Sequence, residues 1–182
     1  LDKELYVIRK TKISEDTVKT ISQEDFLHKV PLFASLTTNE YQRLLNGIDS
    51  LTIKENTRVV EIDEQLSSLF IVKEGLLSVH IQSNDKLVKV AYLNTGAFFG
   101  EMSLLTGSKA SATIISENET VLYKINKPII KSLFKNNPEL VRSISFTTAK
   151  RQAENNERKA EILSKEQLNA ETQSIADRLV NS

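Results

Sequence analysis

Between Leu51 and Ile125 the chain divides into short apolar-rich runs separated by polar turns: Leu51 to Ile53, Arg58 to Ile62, Ser68 to Val72, Leu76 to Gln82, Val88 to Leu93, Ser111 to Ile115 and Thr120 to Ile125. Short, evenly spaced runs rich in β-branched and aromatic residues predict an antiparallel sandwich or roll. The flanks have a different period. Ser22 with Asp25 resembles a capping box opening a brief helix that Pro31 ends, and Thr37 with Glu40 is a cleaner box, followed by Tyr41, Leu44, Leu45 and a stop at Gly47. Downstream, Asn126 with Pro128 and Asn137 with Pro138 each pair a capping residue with an early proline, which predicts two further helices. Leu140, Val141, Ile144 and Thr148 make a narrow stripe on the second of these. The following stretch, KRQAENNERKAE, is nearly all polar and predicts a solvated helix or a loose connection. Ser164 with Gln167 then reads as a fresh helix start, with Leu168, Ile175 and Leu179 on one face.

The expected fold is therefore α+β with a mainly β core: an antiparallel β-roll, or double-stranded jelly roll, with an N-terminal helical hairpin and C-terminal helices. Residues 1–21 read as a linker or the tail of a preceding domain. Residues 22–145 form the main domain, with helices over 22–47, a roll over 48–125 and helices over 126–145. Residues 146–182 are a C-terminal helical extension.

Composition narrows the function. Twenty-four basic and 24 acidic residues leave no net charge, so no global field draws the chain to nucleic acid or anionic lipid. There is no cysteine, which removes disulfides and thiolate metal sites. His28 and His80 are isolated from any metal-spaced ligand, so a cupin-like metalloenzyme on a related roll is not expected. No run approaches the roughly 18 apolar residues of a membrane span. The chain starts at Leu1 without a methionine and stops at Val180, Asn181, Ser182, as expected of a piece of a longer protein.

The candidate chemistry lies in LNTGAFFGEMSLLTGSKASATII, Leu93 to Ile115. Gly96 and Gly100 bracket Ala97, Phe98 and Phe99, and glycine permits close approach of a backbone or ligand. A helical turn beginning at Glu101 directs free amides at whatever sits before it, an arrangement suited to an anion. Phe98 and Phe99 are expected in the core.

This stretch resembles the phosphate-binding cassette of the cyclic nucleotide-binding domain family, through Phe99, Gly100, Glu101, Leu104, Leu105, Gly107, Ser111, Ala112 and Thr113; Pro31, Leu32, Phe33 and Leu36 repeat that family's wording for its helical hairpin. The resemblance implies that Glu101 accepts a hydrogen bond from a ribose 2'-hydroxyl. It also implies that amides near Gly100, Met102 and Ser103, with Ser111 and Ala112 ahead of Thr113, hold a cyclic phosphate, making cAMP or cGMP the candidate ligand and no cofactor necessary. One position departs: family members that bind strongly carry arginine before the small-Ala-Thr triplet, and Ala110 stands there. Neither alanine nor the neighbouring Lys109 reproduces a bidentate guanidinium. Lys109 swinging in, a different ligand, and a pocket that keeps its shape without a ligand all stay open. Turns at Asn56, Asp63 and Leu66 fall where the family carries glycine. Asn and Asp tolerate left-handed geometry and leucine does not, so the turn near Leu66 is expected to be rebuilt. Phe146, Lys150 and Arg151 fall where relatives lower a helix over the base.

The sequences NPELVRSIS to AKRQAENNE, and LYVIRKTKIS near the start, resemble the flanks of the nucleotide domain in bacterial small-conductance mechanosensitive channels. That likeness implies a regulatory, non-enzymatic sensor on the cytoplasmic face of the inner membrane. Its partners would be a cyclic nucleotide or related anion and an attached channel or other effector domain, with homo-oligomerisation through the parent protein. A helix-turn-helix module after the long helix is not recognisable, nor is a kinase-inhibitory segment ahead of the roll. The competing expectation is a degenerate β-roll that serves as a protein-interaction module without nucleotide.

Overall fold

The computed structural model describes residues 23–180. A first helix, α1, covers 23–28, and a 3-10 turn follows at Pro31–Phe33. Pro31 therefore starts a turn as well as ending the helix. Helix α2, Thr38–Leu45, carries the expected capping box: the Thr37 hydroxyl accepts from the Glu40 amide and the Glu40 carboxylate accepts from the Thr37 amide at 2.8 Å. The Ser22 box falls outside the described residues, as does everything expected of LYVIRKTKIS. Gly47 ends α2 for a reason other than a left-handed cap. A Cβ there would come within 1.8 Å of Ile129 Cδ1, so its role is close approach to the next helical layer.

Eight strands follow: β1 Ile48–Ile53, β2 Arg58–Val60, β3 Ser68–Glu74, β4 Leu77–Ser83, β5 Lys86–Leu93, β6 Phe98–Phe99, β7 Thr113–Ser116 and β8 Thr120–Asn126. They form two four-stranded antiparallel sheets ordered β1-β8-β3-β6 and β2-β7-β4-β5. The roll is thus as expected, with one addition: β6 pairs Phe98 with Ile71 and Phe99 with Phe70, a strand too short for periodicity to reveal.

Both faces of the first sheet are covered, which explains the near-continuous apolar run LFIV in β3. By strand alternation Leu69 and Ile71 face the helices, where they join Phe33, Leu44, Tyr123 and Leu133. Val72 and Phe70 face the second sheet and pack with Val60, Leu77, Leu122 and Phe99. Phe98 and Phe99 divide between these two cores in the same way, both buried as expected.

After a short helix α3, Glu101–Thr106, and α4, Lys127–Asn136, one helix runs to the end of the described chain: α5, Pro138–Val180. Asn126 does not cap α4 with its side chain; its Oδ1 accepts from the Ser68 hydroxyl instead. Asn137 does cap α5, accepting from the Leu140 amide at 2.9 Å, and its Nδ2 donates to Glu40, tying α5 to the α2 cap.

Of the two alternatives for the polar stretch the structure takes the helix, and one expectation is corrected: Ser164 lies inside α5 rather than starting a new helix. The reason is tertiary: Glu166 accepts from the Ser83 hydroxyl and the Asn84 side-chain amide at the tip of the β4–β5 hairpin, and Ile162 packs against the inter-sheet core, so the helix is supported where its sequence looks unsupported. Leu168 and Ile175 are exposed. Among the described residues no helix is long and apolar enough to cross a membrane.

Candidate ligand-binding site

Gly100 has φ of +90° and precedes α3 directly. A Cβ there would lie 2.4 Å from the Ser68 carbonyl oxygen, so both conformation and space exclude a side chain. This close approach pins the start of α3 against β3 and sets the position of Glu101. Gly107, with φ of +71°, closes the other end, and the Ser103 hydroxyl donates to the Ser108 carbonyl at 2.6 Å to tighten the loop.

The segment after the loop is anchored by backbone. Ala110 donates to the Glu64 carbonyl at 2.7 Å and accepts from the Asp63 amide at 2.8 Å. Asp63 itself is left-handed, as is Asn56, matching the reading of those two turns. Leu66 is absent from the left-handed residues, so its turn is built differently, and it lies on the cavity wall. Thr113 is buried with its hydroxyl accepting from the Ile62 amide, and β7 begins there, two residues later than expected, which leaves Ser111 and Ala112 in a bend.

These constraints enclose a cavity of about 750 Å³. Its apolar side comes from the inner faces of the second sheet, including Val79, Ile81, Val90 and Ile114; its roof is α5, with Gln152, Asn155 and Lys159. Of the residues expected to form the site, Gly100, Glu101, Met102, Ala110, Ser111 and Ala112 line it. Ser103 and Thr113 support the loop from behind. Lys109 is exposed and lies off the cavity wall.

Glu101 is the buried acid of this cavity, 6 % exposed. Its Oε1 accepts from the Thr148 hydroxyl at 3.3 Å and lies 3.6 Å from Arg151 Nη1. Burial pushes its carboxyl above the ordinary carboxylate range; the charge of Arg151, its own amide and the Thr148 hydroxyl pull part of the way back. Arg151 also donates through Nη1 to the Phe98 carbonyl and stacks its guanidinium 4.5 Å above the Phe98 ring.

Arg151 and Thr148 carry more of this geometry than their sequence context suggested. Ile144, Thr148 and Arg151 continue one helical face at spacings of four and three, so the buried stripe pointed toward them. Phe146 and Lys150, on the other faces, are exposed. His80 makes a hydrogen bond to Ser78 and His28 packs on Tyr41; among the described residues no cluster of His, Asp and Glu is arranged to hold a metal.

A family model described as cyclic nucleotide-binding domain matches residues 50–137. The chain is similar to the cAMP-dependent protein kinase type II regulatory subunit of Drosophila melanogaster, 24% identical over 98 residues, 54% of this chain and 26% of that protein. It is also similar to a Rhodopseudomonas palustris protein whose name provisionally assigns it as a potassium channel, 26% identical over 117 residues, 64% of this chain and 28% of that one. It thus spans about a quarter of the length of these relatives. Among solved structures, the sensor domain of the transcriptional regulator DNR from Pseudomonas aeruginosa superposes with a TM-score of 0.64 at 15% identity, covering 72% of this chain and 89% of that one, a likeness of fold. The cassette falls within residues 50–137, the segment that the cyclic nucleotide-binding domain model matches.

Proposed function

We propose that this chain is a regulatory sensor that takes a cyclic nucleotide or related anion beneath α5 and passes the event to an attached effector. The observation that carries the reading is Glu101, a buried carboxylate on the wall of a nucleotide-sized cavity and bonded to the helix that roofs it. In the bound state the ribose 2'-hydroxyl donates to Glu101, and the cyclic phosphate lies against the backbone of Gly100, Met102, Ser111 and Ala112. Ligand and α5 then share one carboxylate. Because Thr148 and Arg151 hold it in the free form, binding alters the interactions of the helix, which is the differential affinity that a population shift requires.

Ala110 weakens the ligand. A desolvated charge partner contributes about 2 to 5 kcal/mol, so its loss costs roughly 1.5 to 3.5 decades of affinity. The effector we favour is a bacterial channel of the small-conductance mechanosensitive kind, with this segment on the cytoplasmic face of the inner membrane and assembled through its parent. Support comes from the flanking sequences and from the Rhodopseudomonas palustris relative. The role is regulation rather than catalysis.

Titration calorimetry with cAMP, cGMP and cyclic dinucleotides tests the reading. Saturable heat with at least one is expected; none with any would select a second reading, a protein-interaction module without nucleotide. One observation favours that second reading: Glu101 is already satisfied by the protein's own side chains.

A further inference from the structure

The cassette places no side-chain cation on the cavity wall: Ala110 carries none, and Lys109 is exposed and lies off the wall. Three cations do line the cavity, Arg151, Arg158 and Lys159, and all belong to α5. Arg158 and Lys159 are exposed, while Arg151 is half-buried and reaches Glu101. Its contacts among the described residues run through Nη1, to the Glu101 carboxylate and the Phe98 carbonyl, with the Phe98 ring beneath the guanidinium plane. A guanidinium has five donors, so most of its capacity is available to a second oxyanion. Glu101 is meanwhile held by two donors of different kinds, a neutral hydroxyl from Thr148 and a cation from Arg151.

We infer that Arg151 is the anion-reading residue of this cavity, taking from the roof helix the part that Ala110 leaves vacant in the cassette. A ribose hydroxyl replaces the Thr148 hydroxyl at Glu101, like for like, and the phosphate draws the guanidinium. A neutral nucleoside that took the Thr148 place at Glu101 would gain nothing from Arg151, whereas a nucleotide brings an oxyanion to the unused donors of the guanidinium and adds a charge-assisted pair. The site therefore selects ribonucleotides over nucleosides through a residue on α5, so that charge recognition and helix position become one event. This inference rests on the nucleotide reading above.

The test is titration calorimetry of the 182-residue chain with cAMP and with adenosine, on the wild type, Arg151→Gln and Arg151→Lys. The wild type is expected to bind cAMP at least about tenfold more tightly than adenosine. Arg151→Gln is expected to lose about tenfold for cAMP with adenosine unchanged or improved, and Arg151→Lys to fall between, since it keeps the charge but not the paired donors. Thermal melts of the three proteins separate lost binding from lost folding. If Arg151→Gln melts early, the cAMP-to-adenosine ratio of Arg151→Lys decides: a reduced ratio supports the inference and an unchanged one overturns it. Arg151→Gln binding cAMP as tightly as wild type overturns the inference while the nucleotide reading stands. A wild type that takes neither cyclic nucleotides nor adenosine removes both.

Discussion

Glu101 Oε1 and Arg151 Nη1 lie 3.6 Å apart, joining the cassette to the long C-terminal helix, and their side chains are only 7% and 29% exposed. The pair draws much of its significance from the Thr148 hydroxyl on the same oxygen, because together they make this buried acid a structural fastening for α5.

Glu101 and Glu40 should give opposite pH dependences. The Glu101 carboxyl is held up by burial, so its contribution to stability is present below the ordinary carboxylate value and is lost as pH rises through the raised one. Above the ordinary carboxylate value of about 4, the unfolding free energy of wild type should therefore fall relative to Glu101→Gln as pH rises. Glu40 is held down, first by the Thr37 amide, with its hydroxyl and Asn137 adding to this. Its contribution is present above the ordinary value and lost as pH drops through the lowered one, so wild type should lose stability relative to Glu40→Gln below about pH 4. Urea titrations over the pH range check both, and slopes of the same sign would contradict the geometry.

Gly100→Ala and Gly96→Ala should differ although both residues are left-handed. At Gly96 a Cβ meets nothing within 4 Å, so only the backbone preference is lost, about 1 to 2 kcal/mol. At Gly100 the Cβ collides with a backbone oxygen that cannot turn aside, and the cost should reach about 3 kcal/mol or more. Denaturant midpoints of the two variants, measured side by side, decide it.

Glu166→Ala should release the distal part of α5 without unfolding the roll. The bonds to Ser83 and Asn84, one part-buried and one exposed, sit at the hairpin tip, where such polar contacts contribute about 1 kcal/mol to global stability. Amide hydrogen exchange should rise over residues 158–170 while β3 and β8 keep their protection. Unchanged exchange in α5 would show that the distal helix does not depend on Glu166.

Ala110→Arg should raise cAMP affinity by about tenfold or more. Ala110 is tied to Asp63 and Glu64 through its backbone alone, so the new side chain leaves the anchor intact. Calorimetry checks this, and a variant that folds but gains nothing would mean the cassette has lost more than one feature.

Much of this protein could be read along the chain. The Thr37 and Asn137 caps, the left-handed Asn56 and Asp63, and the short apolar-rich strands are local: each depends on a residue's own side chain, or on neighbours close by in the chain. The cassette was legible for the same reason, since Gly100 through Thr113 is one continuous segment.

What the sequence by itself determined is the roll, its flanking helices and the acid at the start of α3. Only the tertiary structure decided that Gly47 lies against Ile129, that α5 continues past Ser164, and that Arg151 is the cation beside Glu101. Helical spacing marks which face of α5 turns inward, but the partner that face meets is set by how the helix crosses the sheets. That crossing depends on contacts between residues far apart in the chain, at Asn137 and Glu166, which no local pattern encodes.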